Sequence, residues 1–234
     1  LGSVSVICSD KTGTLTQNRM HAELVLAAGQ PWHPAKVEAE QTAPSPHHLQ
    51  LLRAAALCND ACPSGDCDDK GHIVWQGDPT ETALTAVAAQ ADLLKPELEE
   101  ETPRVRELPF DSDRKRMTTF HRDDAVFEAF TKGAPESVLP RCSAHWSPEG
   151  RRPLDQAAVL AEAERLAAQG LRVMAFASRA WPQLPAEPDV EAIESELALI
   201  GLIGLIDPPR EEAAAAVRDC RSEERRVGKE CVST

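Results

Sequence analysis

An α/β chain is what the sequence predicts, and three observations predict it. The apolar run Val4, Val6, Ile7, Cys8 leads without a spacer into Asp10 and a Gly-containing loop. That is the pattern of a buried strand whose carboxyl end lies where open α/β sheets place their ligands. Arg104 to Phe110, Met117 to Arg122 and Ala125 to Thr131 alternate with period two and read as antiparallel strands, the last two joined at Asp123-Asp124. Between strands lie helical stretches, Leu49 to Leu57, Pro79 to about Leu94 and Leu154 to Ala168.

Taken in order, the loop from Asp10 to Thr16 places Asp10 as a candidate nucleophile, since carboxylates attack phosphoryl groups. Gly13 would let backbone N–H groups approach phosphate oxygens. The plainer reading of the same residues is a strand followed by an Asx-type turn. Met20 to Ala28 reads as a strand running to Gly29, and Pro31 to His48 as loop or hairpin. The short Ala-rich helix Leu49 to Leu57 ends at Cys58-Asn59-Asp60, and Gly65 to Gly71 is a polar loop.

Asp78 as N-cap, Pro79 at the first helical position and Glu81 three residues on make a helix start, with Glu81 placed to close a capping box. Pro96 to Thr102 reads as an acidic, solvated loop. The connection Phe110-Asp111-Ser112-Asp113-Arg114-Lys115-Arg116-Met117 offers a ring for stacking and cations for phosphates. Phe110 taken alone reads as a core residue at a strand end. Lys132-Gly133-Ala134-Pro135-Glu136 ends the third strand and starts a short helix with Pro135 in its first turn. Gly133 would clear space for a ligand, and Lys132 would project into the same cradle as Phe110.

Gly170 stops the third long helix. A strand from Leu171 to Ala177 follows, then a loop from Pro182 to Pro188. Ala198 to Ile206 is a continuous apolar run ending in Asp207-Pro208-Pro209-Arg210, and Glu211 to Asp219 restarts a helix.

The bulk numbers exclude several classes. With 234 residues the chain can bury a real core as one large or two ordinary domains. A net charge of −13 argues against a nucleic-acid footprint, which needs a basic face. There is no apolar run near the ~20 residues that cross a bilayer and no signal-type opening. The abrupt start leads us to expect a piece of a longer polypeptide that does not itself touch membrane. Cys58, Cys62, Cys67 and His72 come near zinc-ligand spacing, but the ragged series lacks paired knuckles, and free cytosolic thiols are the expectation.

Asp10-Lys-Thr-Gly-Thr-Leu-Thr16 resembles the phosphorylation motif of the P-type ATPases, ion pumps that pass through an aspartyl-phosphate. The resemblance implies that Asp10 is phosphorylated, that Thr12 binds Mg²⁺ through its carbonyl with Asp10 as the other metal ligand, and that Lys11 and Thr14 line the phosphate site. Further matches follow. Cys58-Asn59-Asp60 resembles the family's C-N-D element, and Gly77-Asp-Pro-Thr-Glu-Thr-Ala-Leu84 resembles its nucleotide-domain signature, where Glu81 would contact the adenine amino group. Pro109 to Met117 is similar to the calcium-pump branch, which implies Phe110 stacked on adenine and Lys115 near the phosphates. Sarcoplasmic-type pumps often carry Arg where Ser112 stands, so that phosphate contact is missing or supplied by Arg114. Lys132-Gly133-Ala-Pro-Glu136 is a family signature, Arg172 resembles the Arg that reaches the nucleotide phosphates, and Asp207 and Arg210 lie in the family's hinge and join the nucleotide-binding set.

The arrangement so implied is an incomplete HAD-like phosphorylation domain, with an α+β nucleotide-binding domain built on an antiparallel sheet inserted into it. Its boundaries are 1–23 for the first phosphorylation segment, 24–206 for the nucleotide domain and 207–220 for the hinge and second segment. The tail 221–234 departs from the family and is expected to be non-native. The parent would lie at the cytoplasmic face of a membrane, reaching it through transmembrane segments outside this sequence, and couple ATP hydrolysis with Mg²⁺ to movement of a cation, calcium by the nearest branch. A soluble HAD-type phosphatase or phosphotransferase and a non-catalytic nucleotide-binding module are the alternatives. The family's T-G-D and G-D-G-x-N-D segments occur nowhere in the sequence, so the 234 residues alone are expected to bind ATP weakly, without hydrolysing it or forming an aspartyl-phosphate.

Overall fold

In the computed structural model the residues described are 14–17, 19–34, 43–68, 71–124, 126–185 and 189–210, with 212, 213, 215, 216 and 218 beyond them. The strand expected at Val4 to Cys8, the residues Asp10, Lys11 and Thr12, four of the nine residues of the helix expected from Glu211 to Asp219 and the tail fall outside this set. The chain divides into two compact units, one being His21–Ile206 and the other Leu1–Met20 with Asp207–Thr234.

The larger unit is α/β around an antiparallel sheet. β1 (His21–Ala27) turns back through Ala28 and Gly29, both at positive φ, into β2 (Gln30–Trp32). The stretch expected as loop or hairpin therefore begins as a hairpin. Then α1 (Pro46–Leu57) starts three residues before the expected Leu49, because Ser45 caps it and the ring of His48 closes the box by accepting from the Ser45 N–H at 3.1 Å. The remaining nitrogen of that ring donates to Gln30 O at 2.9 Å, which joins the helix start to β2. β3 (Cys62–Cys67) and β4 (Ile73–Gln76) form a separate two-stranded ribbon where a polar loop was expected. A fully exposed strand carries no apolar alternation to read.

Next, α2 (Pro79–Ala89) ends five residues short of the expected Leu94. Asp92 adopts a left-handed φ of 60° and the Leu93 N–H returns to Ala88 O at 3.1 Å, a helix stop of the kind glycine usually supplies. The supposed acidic loop is α3 (Lys95–Glu101), with Pro96 in its first turn and Lys95 and Leu98 buried.

β5 (Arg104–Asp111), β6 (Arg116–Asp123) and β7 (Val126–Gly133) are the three antiparallel strands expected. After α4 (Pro135–Val138) and one 3-10 turn come β8 (Cys142–His145), α5 (Gln156–Ala168), β9 (Arg172–Trp181), α6 (Val190–Ile193) and β10 (Leu197–Ile206). The sheet order is β2-β1-β10-β9-β7-β6-β5, and β8 joins β10 as its parallel partner.

Alternation along β7 shows the layers. Glu128, Phe130 and Lys132 face α1 and α2, while Ala129 and Thr131 face the side of α4, α5 and α6. Gly201 in β10 faces α1, and a Cβ there would strike Leu51, so its absence lets the helix seat on the sheet. The described part of the smaller unit is a short clasp. Thr16 bridges Pro209, Gln17 N donates to Pro208 O at 3.0 Å, and Arg210 N donates to Leu15 O at 2.9 Å.

Candidate functional site

Glu81 lies in the first turn of α2, but its carboxylate does not close the capping box. Asp78 caps the helix by accepting from Thr80 N at 2.8 Å. Glu81 turns instead to Lys132, whose Nζ lies 2.5 Å from Oε1, and its Oε2 accepts from Asp60 N at 3.2 Å. A bond to an ammonium, in which both partners are charged, outcompetes a carboxylate's bond to the neutral cap N–H. The Lys132 and Glu81 side chains are only 5% and 16% exposed, so the pair is largely withdrawn from water.

The Cys58-Asn59-Asp60 segment holds Glu81 from below. Asn59 Nδ2 donates to Glu81 O at 2.9 Å, and its Oδ1 accepts from Ala61 N at 2.8 Å. The Asn59 carbonyl accepts from Lys95 Nζ at 2.7 Å and from Arg104 Nη2 at 2.6 Å, while Arg104 Nη1 reaches Asp60 at 2.7 Å. Sequence reasoning missed Lys95 and Arg104; neither has a local signal, because both act on a loop more than 30 residues away. Cys58 is buried, donates to Phe130 O at 3.3 Å, and has its thiol pKa raised by burial. Cys62 and Cys67 are exposed on β3, so the four-residue series does not converge. Among the described residues no group of three or more His, Cys, Asp or Glu is arranged to hold a metal ion.

Phe110 is 63% exposed, the most exposed large apolar side chain among the described residues, which corrects its reading as a core residue. Register shifts between Leu108 and Asp111 set Pro109 and Phe110 opposite Met117, and Met117 pairs on its other side with Lys132. Phe110 and Lys132 are thus separated by one strand, β6, and are not on adjacent strands. Lys115 stands in the β5–β6 turn at φ 53° with its side chain 59% exposed, 3.6 Å from the exposed Glu136.

Gly133 pairs with Arg116. A Cβ on it would lie 2.5 Å from Lys115 O and 2.6 Å from Arg116 Cβ. The space that the missing side chain leaves is therefore filled by the neighbouring turn. Arg114, expected as a substitute phosphate contact, is turned away: Nη1 donates to Glu194 at 2.6 Å and Nη2 to Pro109 O at 2.7 Å.

Arg172, the first residue of β9, donates to Thr80 Oγ1 at 3.0 Å and so lies beside Glu81 at the start of α2. Glu81, Lys132, Arg172, Phe110 and Lys115 therefore gather at one end of the β5-β6-β7-β9 region. In the smaller unit, Asp207 accepts from Thr16 Oγ1 at 2.6 Å and from Arg19 N at 3.2 Å, and Arg210 Nε donates to Thr16 O at 3.0 Å. Both residues thus tie the two hinge segments to each other. Thr14 is exposed, and Asp10, Lys11 and Thr12 lie outside the described residues.

A hollow of about 470 Å³ lined by Glu128, Trp146, Ser147, Arg151 and Ser178 contains none of these residues. Its half-buried carboxylate, Glu128, is already met by Arg53 and Gln50. The Phe110 end differs in kind, presenting an unpaired exposed ring beside cations and a carboxylate, parts that suit a flat heterocycle carrying phosphates.

A family described as the cytoplasmic domain N of P-type ATPases matches residues 48–212. The chain is 38% identical to the probable cation-transporting ATPase F of Mycobacterium tuberculosis, over 95% of this chain and 26% of that protein. It is 36% identical to the calcium-transporting ATPase 1 of Bacillus cereus, over 94% of this chain and 24% of that one. Against the sodium/potassium exporting P-type ATPase cta3 of Schizosaccharomyces pombe the identity is 33%, over 94% and 24%. The chain spans about a quarter of the length of these relatives.

Proposed function

The chain belongs to the cation-transporting P-type ATPases, and from that membership we propose that residues 24–206 hold ATP and that Asp10 accepts its γ-phosphoryl group. The observation that carries this reading is the ring of Phe110, exposed to 63% on an otherwise charged turn. An aromatic side chain so placed loses apolar burial unless something flat covers it. Adenine would stack there, with its amino group donating to Glu81, whose carboxylate is held facing Lys132 and Asp60 N–H. Lys132, Lys115 and Arg172 supply positive charge for the phosphates, and Gly133 keeps the Lys115 turn closed against β7.

The segments 1–23 and 207–220 belong, in this reading, to a phosphorylation domain of the HAD-like type, with Asp207 and Arg210 in the hinge. An oxygen of the Asp10 carboxylate attacks the γ-phosphorus, the bond to the β-phosphate oxygen breaks, ADP leaves and an aspartyl-phosphate remains. Lys11 and Thr14 would line the phosphate. Mg²⁺, for which Asp10 and the Thr12 carbonyl would be ligands, supplies neutralisation of the charge on the transferred group. The whole protein would couple this step to cation movement at the cytoplasmic face of a membrane. The names of the relatives span calcium, sodium/potassium and unspecified cations at similar identity, so calcium is one choice among these. No helix among the described residues is long and apolar enough to cross a membrane.

Calorimetric titration of ATP tests the site. Phe110→Ala should weaken binding by ~1–3 kcal/mol, the range for a lost stacking partner. Lys132→Ala should weaken it by ~1.5–3 kcal/mol, the range for a bond to a charged group. Unchanged affinity in either variant, with its circular dichroism intact, removes that residue from the site.

A further inference from the structure

We propose that Glu194 is a positioning residue for the nucleotide: it touches no ligand, and it fixes the Asp111–Arg116 turn from which Phe110 and Lys115 reach out. Glu194 caps the C-terminal end of α6 and is fully buried. Oε1 accepts from Arg114 Nη1 at 2.6 Å and Thr118 Oγ1 at 2.9 Å, and Oε2 accepts from Arg116 Nε at 2.6 Å. The two arginines flank Lys115, so one carboxylate on the α6 face of the sheet grips the turn on both sides of its exposed lysine.

A buried ion cluster of this kind is weak as a stabiliser, because well-packed apolar side chains hold such a site as firmly. What it adds is a defined place for the groups it binds. The rest of the turn needs such a place. Lys115 sits at φ 53°, a left-handed conformation that a side chain adopts only where the surroundings hold it. Much of the backbone there is engaged. Asp111 Oδ1 accepts from Asp113 N and Arg114 N at 2.9 and 2.8 Å. Arg114 O accepts from Ser137 Oγ at 2.5 Å and Arg116 Nη1 at 3.0 Å, and Lys115 O accepts from Ala134 N at 3.1 Å. The grip has a second consequence. With Arg114 drawn inward onto Glu194 and Pro109 O, Lys115 is the cation the turn offers to a phosphate.

This inference rests on the reading of Phe110 and Lys115 as nucleotide contacts, and the experiment separates the two. ATP affinity, thermal midpoint and amide exchange over residues 111–116 are measured for the 234-residue chain and for Glu194→Gln, Arg114→Gln, Phe110→Ala and the double variant Glu194→Gln/Phe110→Ala. Expected are a loss of ATP affinity of about fivefold or more in Glu194→Gln and Arg114→Gln, and faster exchange in the turn. The affinity loss should shrink in the Phe110→Ala background, where only the Lys115 contact is left to misplace, while the drop in thermal midpoint is the same in both backgrounds. Undiminished affinity in the folded Glu194→Gln and Arg114→Gln chains overturns the proposal. So does an affinity loss of equal size with and without Phe110, which marks a general structural role. If Glu194→Gln does not fold, Arg114→Gln decides, since that side chain is 21% exposed and Arg116 stays on Glu194. Absent ATP binding in the unaltered chain, or full binding in Phe110→Ala, overturns the nucleotide reading itself, and this proposal with it.

Discussion

Gly133 and His121 show how much a single position in this molecule owes to residues far along the chain. Gly133→Ala puts a methyl group against a backbone carbonyl and a Cβ of the partner strand, neither of which can rotate away. A loss of ~1–3 kcal/mol, typical of overpacking, is expected in urea unfolding, and an unchanged midpoint would refute the steric account. His121 is fully buried beside Phe130, with Nδ1 3.1 Å from Thr102 O and Nε2 2.9 Å from Thr119 Oγ1. A carbonyl can only accept, so Nδ1 carries the proton and Nε2 accepts from the threonine. Burial pushes the pKa of this ring down to about 4. The unfolded chain, with an ordinary histidine, binds the extra proton first as pH falls. The stabilising effect of neutral His121 is therefore complete above about pH 6.5 and is lost progressively toward pH 4, by up to about 3 kcal/mol. Thermal midpoints across that window should fall more steeply in the unaltered chain than in His121→Phe; parallel curves would show the ring does not titrate this way.

At the scale of elements, α3 is the instructive case. Read as sequence it is Lys-Pro-Glu-Leu-Glu-Glu-Glu, acidic and too short for a periodic apolar stripe to register. In the structure Leu98 is buried and Lys95 is drawn under the Asn59 and Ala61 carbonyls, with Glu99 3.4 Å away. The helix brings a cation to two carbonyls of the loop after α1. Lys95→Met keeps the length and apolar stem but takes the ammonium from Ala61 O and leaves Asn59 O to Arg104 alone, and should cost roughly 1–3 kcal/mol of stability. Because Asn59 supports Glu81, the same variant should weaken ATP binding by a smaller factor than Lys132→Ala. A Lys95→Met chain as stable as the original would mean that water serves Ala61 O equally well. The strands β5, β6, β7 and β10 were readable in the sequence for a complementary reason. Their alternation or continuous apolarity is a local record of which faces are buried.

For the whole molecule, ATP binding and turnover separate. The proposed adenine and phosphate contacts lie between Glu81 and Arg172, inside the unit His21–Ile206. Stabilising charge on a transferring phosphoryl group takes a fixed set of cations and metal ligands. The acidic segments expected to supply them occur nowhere in the 234 residues. These residues alone are therefore expected to bind ATP and release no phosphate. Acid-stable labelling from γ-labelled ATP that hydroxylamine removes, and that Asp10→Asn abolishes, would contradict this.

What the sequence by itself determined is the set of elements with a strong local period, the Pro-led helix starts at Pro79 and Pro135, and the motif residues that mark Glu81, Phe110, Lys132 and Arg172 as a group. Each is written in neighbouring residues, where backbone geometry and local hydrogen bonding act. Only the tertiary structure decided the rest. It set β10 between β1 and β9, turned Glu81 from its own helix cap to Lys132 51 residues away, and drew Arg114 inward to Glu194 80 residues away. A side chain with several possible partners goes to the one that best compensates its charge at its depth of burial. Which partner lies near is settled by the pairing of distant strands.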